Sequence, residues 1–246
     1  MTNSQTSPKQ RSLSVVMPVF NEEVLVRSNI ECLENVLSRS MPDHEIIAVN
    51  DGSTDGTAAI LKKMSAEIKG LKVLTLSPNQ GLGAAMAQGF SAASKELVLY
   101  TDIDKPVDYA EIAKAVELLE ECGADMVFGA RKNKVYESFS RFLCSVIYNR
   151  LIRFIFKVKT REINFAFKLF TQASLQKIHL KSKGSFAASE LVIRAEASGG
   201  RIAYAEVDFF PRRTGRSRLF NLKAIARLLI EMIRCYPELQ ALKQLS

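Results

Sequence analysis

An α/β fold with a mostly parallel central sheet flanked by helices is what this sequence predicts, on three observations. Short apolar runs alternate with amphipathic or small-residue stretches through the first half of the chain. Two of those runs end on acidic turns, Asn50-Asp51-Gly52-Ser53 and Asp102-Ile103-Asp104. With 246 residues, 47% of them hydrophobic, the chain can bury one large core. If the two acidic turns leave neighbouring parallel strands, they converge on the sheet edge where open α/β folds bind ligands. A nucleotide and a divalent cation would fit there.

The elements follow in order. Residues 13–20 form an apolar run read as a buried strand, and Asn21-Glu22-Glu23 opens an amphipathic helix. A second strand covers 45–49; its exit turn, Asp51-Gly52-Ser53-Thr54-Asp55-Gly56, feeds a helix running to about Lys69. A third strand spans 72–76. Next, Asn79-Gln80-Gly81-Leu82-Gly83-Ala84-Ala85-Met86 is a glycine turn entering a small-residue helix that stops before Glu96. Residues 97–101 are a strand, as are 125–131, and 139–149 read as a helix.

The G-x-G of the glycine turn follows the third strand, and Met86 stands where a dinucleotide fingerprint needs its third glycine, which argues against hydride transfer. Gly81 and Gly83 serve either a tight turn with close helix packing or direct phosphate contact, and the two roles are compatible.

Composition narrows the classes further. Cys32, Cys122, Cys144 and Cys235 are scattered and form no C-x-x-C pair, so neither a zinc site nor a disulfide framework is expected, and a reducing compartment is. Residues 1–11 are polar, lack a signal-peptide core and read as a disordered leader. The net charge of +8 is segregated: residues 1–125 carry −7 and residues 126–246 carry +15. An acidic half suits a metal; a basic half suits phosphate, nucleic acid or an anionic membrane surface.

Pro18-Val19-Phe20-Asn21-Glu22, Asp51-Gly52-Ser53-Thr54-Asp55-Gly56, Asn79-Gln80-Gly81-Leu82-Gly83 and Asp102-Ile103-Asp104 occur in this order. As an ordered set they resemble the family-two glycosyltransferases of the GT-A fold, especially the dolichyl-phosphate mannose synthase and polyprenyl-phosphate branch, over roughly residues 13–218. The resemblance implies that Pro18 and Glu22 line a nucleoside pocket, with Asp51 on the base or ribose and Gly81 and Gly83 beside the donor. It implies that Asp102 and Asp104 hold Mg²⁺ or Mn²⁺ on the diphosphate, for which carboxylate oxygens are the right ligand type. Where better-known members carry a glutamine two residues after the second aspartate, this chain has Pro106, preceded by Lys105, so the third metal ligand is open.

In the second half, Arg131 closes a strand and Arg141 and Ser145 follow on a helix, matching a W-x-R-x-x-x-S-like pattern in which Phe139 replaces the tryptophan. By resemblance Arg131, Arg141, Ser145, Arg212 and Ser217 cradle an acceptor phosphate, for which arginine's fork is suited, and Arg131, Arg141 and Arg212 join Asp102 and Asp104 in catalysis. A phosphate acceptor is already ionised, so no strong general base is required, in keeping with only two histidines, His44 and His179, neither in a motif. In the segment 162–170, Glu162 and Phe165 depart from the family pattern, and Glu190 on a later helix either meets sugar hydroxyls or pairs with an arginine.

Residues 142–158 and 219–235 are amphipathic, with Arg150, Arg153 and Lys157 in the first and Lys223, Arg227 and Arg234 in the second. Neither is an apolar membrane span. They are expected to lie at a lipid interface, to cover the sheet or to form a dimer contact.

The expected organisation is a leader (1–11), a single glycosyltransferase domain (12–218) with a nucleotide-sugar and metal half (12–130) and an acceptor half (131–218), and a C-terminal amphipathic helix (219–246). The expected activity is inverting, metal-assisted transfer of a hexose from a GDP- or UDP-sugar to a polyprenyl or dolichyl phosphate. It is placed at the cytoplasmic face of a membrane, with a membrane-protein partner or a second copy of the chain as further candidates. A glycan or protein acceptor, or a non-catalytic nucleotide-sugar-binding partner, are the alternatives. Nucleic-acid binding is not expected, because it would leave the carboxylate turns idle.

Overall fold

The computed structural model describes residues 11–104, 107–132, 139–209 and 222–244, with backbone only for 139–142 and 222–225. Arg212, Ser217, Lys105 and the leader's first ten residues therefore lie outside what is described, as do the side chains of Phe139 and Arg141.

Seven strands form one sheet in the order β3-β2-β1-β4-β6-β5-β7. They are β1 (Leu13–Val19), β2 (His44–Asp51), β3 (Leu71–Leu76), β4 (Leu97–Thr101), β5 (Met126–Arg131), β6 (Phe167–Thr171) and β7 (Ile202–Val207). Strands β1, β2 and β4 are buried at nearly every position, which requires cover on both faces and explains why they read as continuous apolar runs rather than alternating ones.

The cover comes from two layers of helices. On one face α1 (Val26–Ser40), α2 (Thr57–Glu67) and α4 (Glu111–Glu121) bury Ile30, Leu33, Leu37, Leu61, Met64, Ile112 and Leu119. On the other, α3 (Leu82–Ala92), α5 (Phe139–Phe156), α7 (Ala187–Ala197) and α8 (Leu222–Gln244) bury Met86, Phe90, Ile152, Phe156, Leu191, Met232, Cys235 and Leu239. A one-turn helix, α6 (Gln172–Leu175), is capped by the Thr171 side chain, which accepts from Ser174 N.

Several boundaries differ from expectation. The helix expected to reach about Lys69 stops at Glu67, because Ile68 is already extended and leads into β3. The apolar segment around Phe167 forms β6, which runs antiparallel to both β4 and β5 and is the single reversed strand among the described residues. The C-terminal helix, by contrast, runs within the expected 219–246 as Leu222–Gln244; it continues through an internal Pro237, since burial of Leu239 on the far side outweighs the hydrogen bond that proline removes. Strands β2 and β4 are not neighbours: β1 lies between them, so the two acidic turns share an edge but are one strand apart.

Candidate active site

Every strand except β6 points the same way, so β1, β2, β4 and β5 all deliver their exit turns to one sheet edge. Pro18 shapes the middle of that edge. Its nitrogen carries no hydrogen, and the pairing of β1 with β4 ends at Val16, whereas the pairing with β2 runs on to Val19. β1 and β4 thus part at their carboxyl ends, which is where a doubly wound sheet opens its crevice.

The turns after β1 and β2 are zipped together. Asn21, in the left-handed region at φ 55°, donates its N–H to Ser53 Oγ (3.0 Å), and its side-chain oxygen accepts from Thr54 N (2.8 Å). Glu22 N donates to Thr57 Oγ1 (2.9 Å), and Glu23 Oε2 accepts from Gly56 N (2.7 Å). Glu22 is half-buried at this junction, with its backbone carbonyl accepting the first amides of α1, from Leu25 and Val26.

Asp51 is buried, and its carboxylate is bound within the protein. It accepts from Asn79 Nδ2 (2.8 Å), Gln80 N (2.7 Å) and Gly81 N (2.9 Å). The residue expected on the base or ribose is thus the anchor of the glycine turn. That turn in turn packs against the segment 182–184. Gly81 sits at φ 98°, and a Cβ there would lie 2.4 Å from Lys183 O; on Gly83 it would lie 2.0 Å from Ser182 O. Gly83 N and Ala84 N both donate to Lys183 O (2.7 and 3.3 Å). A helix N-terminus of this kind would ordinarily offer these amides to an anion. Here a backbone carbonyl takes them, so of the two roles weighed for the glycines the structure shows the packing one.

Asp102 and Asp104 follow β4, both half-buried. Tyr100, two residues earlier on the same strand face, donates its hydroxyl to Asp102 Oδ1 (3.2 Å), and Asn29 on α1 donates to Ile103 O (2.8 Å), fixing the turn. Burial, reinforced by the charges of Asp102 and Asp104, holds the Tyr100 phenol well above its usual range, so it stays a donor. Beneath the turn lies Lys168 on β6, in register with Tyr100 on one side and Phe128 on the other. It is 1% exposed and donates to Phe165 O. Burial pushes its ammonium down to about 7, against the pull of Asp102 and Glu162.

At the end of β5, Arg131 is stacked between rings, with its guanidinium carbon 4.3 Å from the Phe209 centroid and 5.4 Å from that of Phe165. Its Nε stands 3.6 Å from Glu162 Oε2. The two residues that departed from pattern, Glu162 and Phe165, are thus the ones that hold this arginine. Ser145, half-buried on α5, has its hydroxyl and carbonyl oxygens accepting from Asn149 Nδ2 (3.3 and 2.8 Å). Glu190 is fully buried and pairs with Arg194 (2.7 Å), as one of its two expected roles had it.

Sequence reasoning missed Tyr100, Asn29 and Lys168. Lys168 did leave a signal, as a lone charge inside the apolar run 165–170. Asn29 left none, since its contact spans 74 positions.

No cluster of three or more potential metal ligands occurs among the described residues. The donor set that is present, two carboxylates on one turn, consists of oxygen alone and fits the ligand type of a hard divalent cation, which would need further oxygen ligands from elsewhere.

A doubly wound domain with oxygen-rich turns gathered at the carboxyl edge of its sheet has the architecture of a GT-A glycosyltransferase. The chain belongs to the family described as Glycosyl transferase family 2, whose profile matches residues 14–180. Glycosyltransferase AglD of Haloferax volcanii is 28% identical over 209 residues, covering 81% of this chain and 33% of the relative. Dodecaprenyl-phosphate galacturonate synthase of Rhizobium johnstonii is 32% identical over 169 residues, covering 68% and 50%. The chain therefore spans a third to a half of these two relatives. Among solved structures, glucosyl-3-phosphoglycerate synthase of Mycobacterium tuberculosis, in complex with Mn²⁺, UDP and glucosyl-3-phosphoglycerate, superposes with a TM-score of 0.65 at 20% identity, covering 92% of this chain and 80% of that one.

Proposed function

We propose that the protein transfers a hexose from a nucleoside-diphosphate sugar to a polyprenyl phosphate at a membrane surface. Family membership supports the reaction class, and a relative named for a dodecaprenyl-phosphate product supports the acceptor. The observation that carries the membrane part is an exposed apolar stripe along two helices. On α5 it consists of Leu143, Ile147, Leu151 and Phe154, the last 85% exposed; on α8 it consists of Leu229, Ile230, Ile233 and Tyr236, with Ile233 66% exposed. Exposed Arg150, Arg153, Arg227 and Arg234 accompany it, as anionic headgroups would require. No described helix is long and apolar enough to cross a bilayer.

In this reading the donor lies over the parted ends of β1 and β4. Asp102 and Asp104 would hold Mg²⁺ or Mn²⁺, which when bound neutralises charge on the departing diphosphate. Tyr100 and Asn29 keep the turn in place for it. An ionised oxygen of the acceptor phosphate attacks the anomeric carbon, the bond from that carbon to the diphosphate oxygen breaks, and the nucleoside diphosphate leaves with its electron pair and with inversion. Because the attacking oxygen is already ionised, the protein contributes orientation and charge, and Arg131, with Arg141, Ser145, Arg212 and Ser217, is assigned to the acceptor phosphate.

The test is incubation of purified protein with polyprenyl phosphate and radiolabelled UDP- and GDP-sugars, with Mg²⁺ or Mn²⁺ and with chelator. Label that enters the solvent-extractable lipid from one donor and is lost with chelator is the expected result. Donor binding without label in lipid would overturn the acceptor assignment.

A further inference from the structure

The glycine turn is held from two sides, and only one of them belongs to the donor edge. From β2 the Asp51 carboxylate takes Gln80 N and Gly81 N. From the opposite side Lys183 O takes Gly83 N and Ala84 N. The segment carrying Lys183 has no regular structure of its own, so something must fix it.

That something is a carboxylate on α8. Glu231 Oε2 accepts from Ser182 Oγ (2.9 Å) and Phe186 N (3.2 Å), and its Oε1 accepts from Gly184 N (2.8 Å). The approach is close enough that a Cβ on Gly184 would lie 2.4 Å from Glu231 Oε1. Two further carboxylates hold the beginning of the segment. Glu190 accepts from Lys181 N (3.0 Å) and Ser182 N (2.7 Å), while Glu238 pairs with Lys181 and with Arg194 (2.9 Å). Their contacts stop at Ser182. Past that point, where the carbonyl that meets α3 is presented, the side-chain acceptor is Glu231.

We propose that Glu231 is a positioning residue for donor binding: by fixing 182–186 it sets the glycine turn, and so ties the donor edge to α8. The proposal rests on the assignment of that edge to the nucleotide sugar. It also explains why a helix about 150 positions after the glycine turn carries a carboxylate facing inward while Ile230 and Ile233, its neighbours, face outward. A carboxylate can accept all three donors at once; an amide of the same shape has a single acceptor oxygen, and its NH₂ group opposes at least one of them.

The experiment is titration of UDP and of GDP into wild type, Glu231→Gln and Glu238→Gln by calorimetry, with thermal melting of each. Glu238→Gln loses ion pairs at the other end of the segment and serves as the structural control. Glu231→Gln is expected to weaken nucleotide binding roughly tenfold, with a melting shift no larger than the control's and with control affinity unchanged. In turnover, the donor KM rises while the KM for polyprenyl phosphate does not. Should Glu231→Gln fail to fold, Gly184→Ala displaces the same carboxylate and is expected to act in the same direction. Wild type that binds one nucleotide while both Glu231→Gln and Gly184→Ala bind it equally well overturns the proposal alone. Wild type that binds neither overturns the donor assignment and the proposal with it.

Discussion

Asp104→Ala is expected to abolish transfer, with at least about a hundredfold loss of kcat measured from labelled nucleotide sugar, because it removes half of the oxygen donor set on the β4 turn. A variant that keeps most of its turnover would eliminate the metal assignment. Tyr100→Phe tests the support of that turn: it deletes the hydroxyl that bonds Asp102, and roughly a tenfold loss of activity is expected without loss of fold. Away from the site, Glu45 governs behaviour in acid. Burial raises its pKa, but bonds from Lys72 (2.5 Å), Ser14 (2.6 Å) and Ser94 prevail and bring it down to about 2. A depressed carboxylate contributes stability that is present above its unfolded value, near 4.5, and lost as pH falls toward about 2. Glu45→Gln is expected to cost about 1–3 kcal/mol at neutral pH and to flatten denaturant midpoints across that acid window. At this scale the sequence placed Asp51, Asp102, Asp104 and Arg131 at or just past strand ends, where the structure has them, because strand ends and turn residues are local. It could not show that the Asp51 carboxylate is bound by Asn79, Gln80 and Gly81, because that bond crosses from β2 to another turn.

At the scale of elements, the glycine turn and the two amphipathic helices are the informative cases. Gly83→Ala places a methyl 2.0 Å from Ser182 O and 2.6 Å from Ala187 Cβ, so α3 must shift away from 182–187. Overpacking of this kind costs about 1–3 kcal/mol, read as a lower denaturant midpoint. Phe154→Asp addresses the opposite situation. The ring is 85% exposed, so the melting temperature should stay close to that of wild type, while sedimentation with phosphatidylglycerol-containing vesicles should fall several-fold. Unchanged vesicle binding would remove the α5 stripe from the membrane assignment. Helical spacing identified both amphipathic stretches but could not say which face each buries. In the structure Ile152 and Phe156 turn inward on α5, as do Met232, Cys235 and Leu239 on α8, and each helix keeps a second apolar face outside.

For the molecule as a whole, the charge segregation follows the order of the sheet. The acidic half supplies β1 to β4, with the carboxylate turns, and the basic half supplies most of the helical layer around α5 and α8. The two halves are nonetheless one folded body. α8 packs Leu239 and Met232 into the same core cluster as Met86 and Phe90 of α3. A chain truncated before α8 would expose that apolar surface and lose Glu231 and Glu238, and is expected to unfold at lower denaturant, measured by circular dichroism against the full chain.

The sequence by itself determined the fold class, the parallel strands β1 to β5 and the edge where the acidic turns meet. Each of these depends on local hydrophobic periodicity and turn chemistry, which neighbouring residues carry. The tertiary structure decided what no window of neighbours contains: that β1 separates the two turns, that β6 enters reversed, that Glu162, Phe165 and Phe209 enclose Arg131, and that a carboxylate on the last helix holds the segment facing the glycine turn. Those contacts join residues from 31 to 100 positions apart, and only the closing of the chain on itself brings them together.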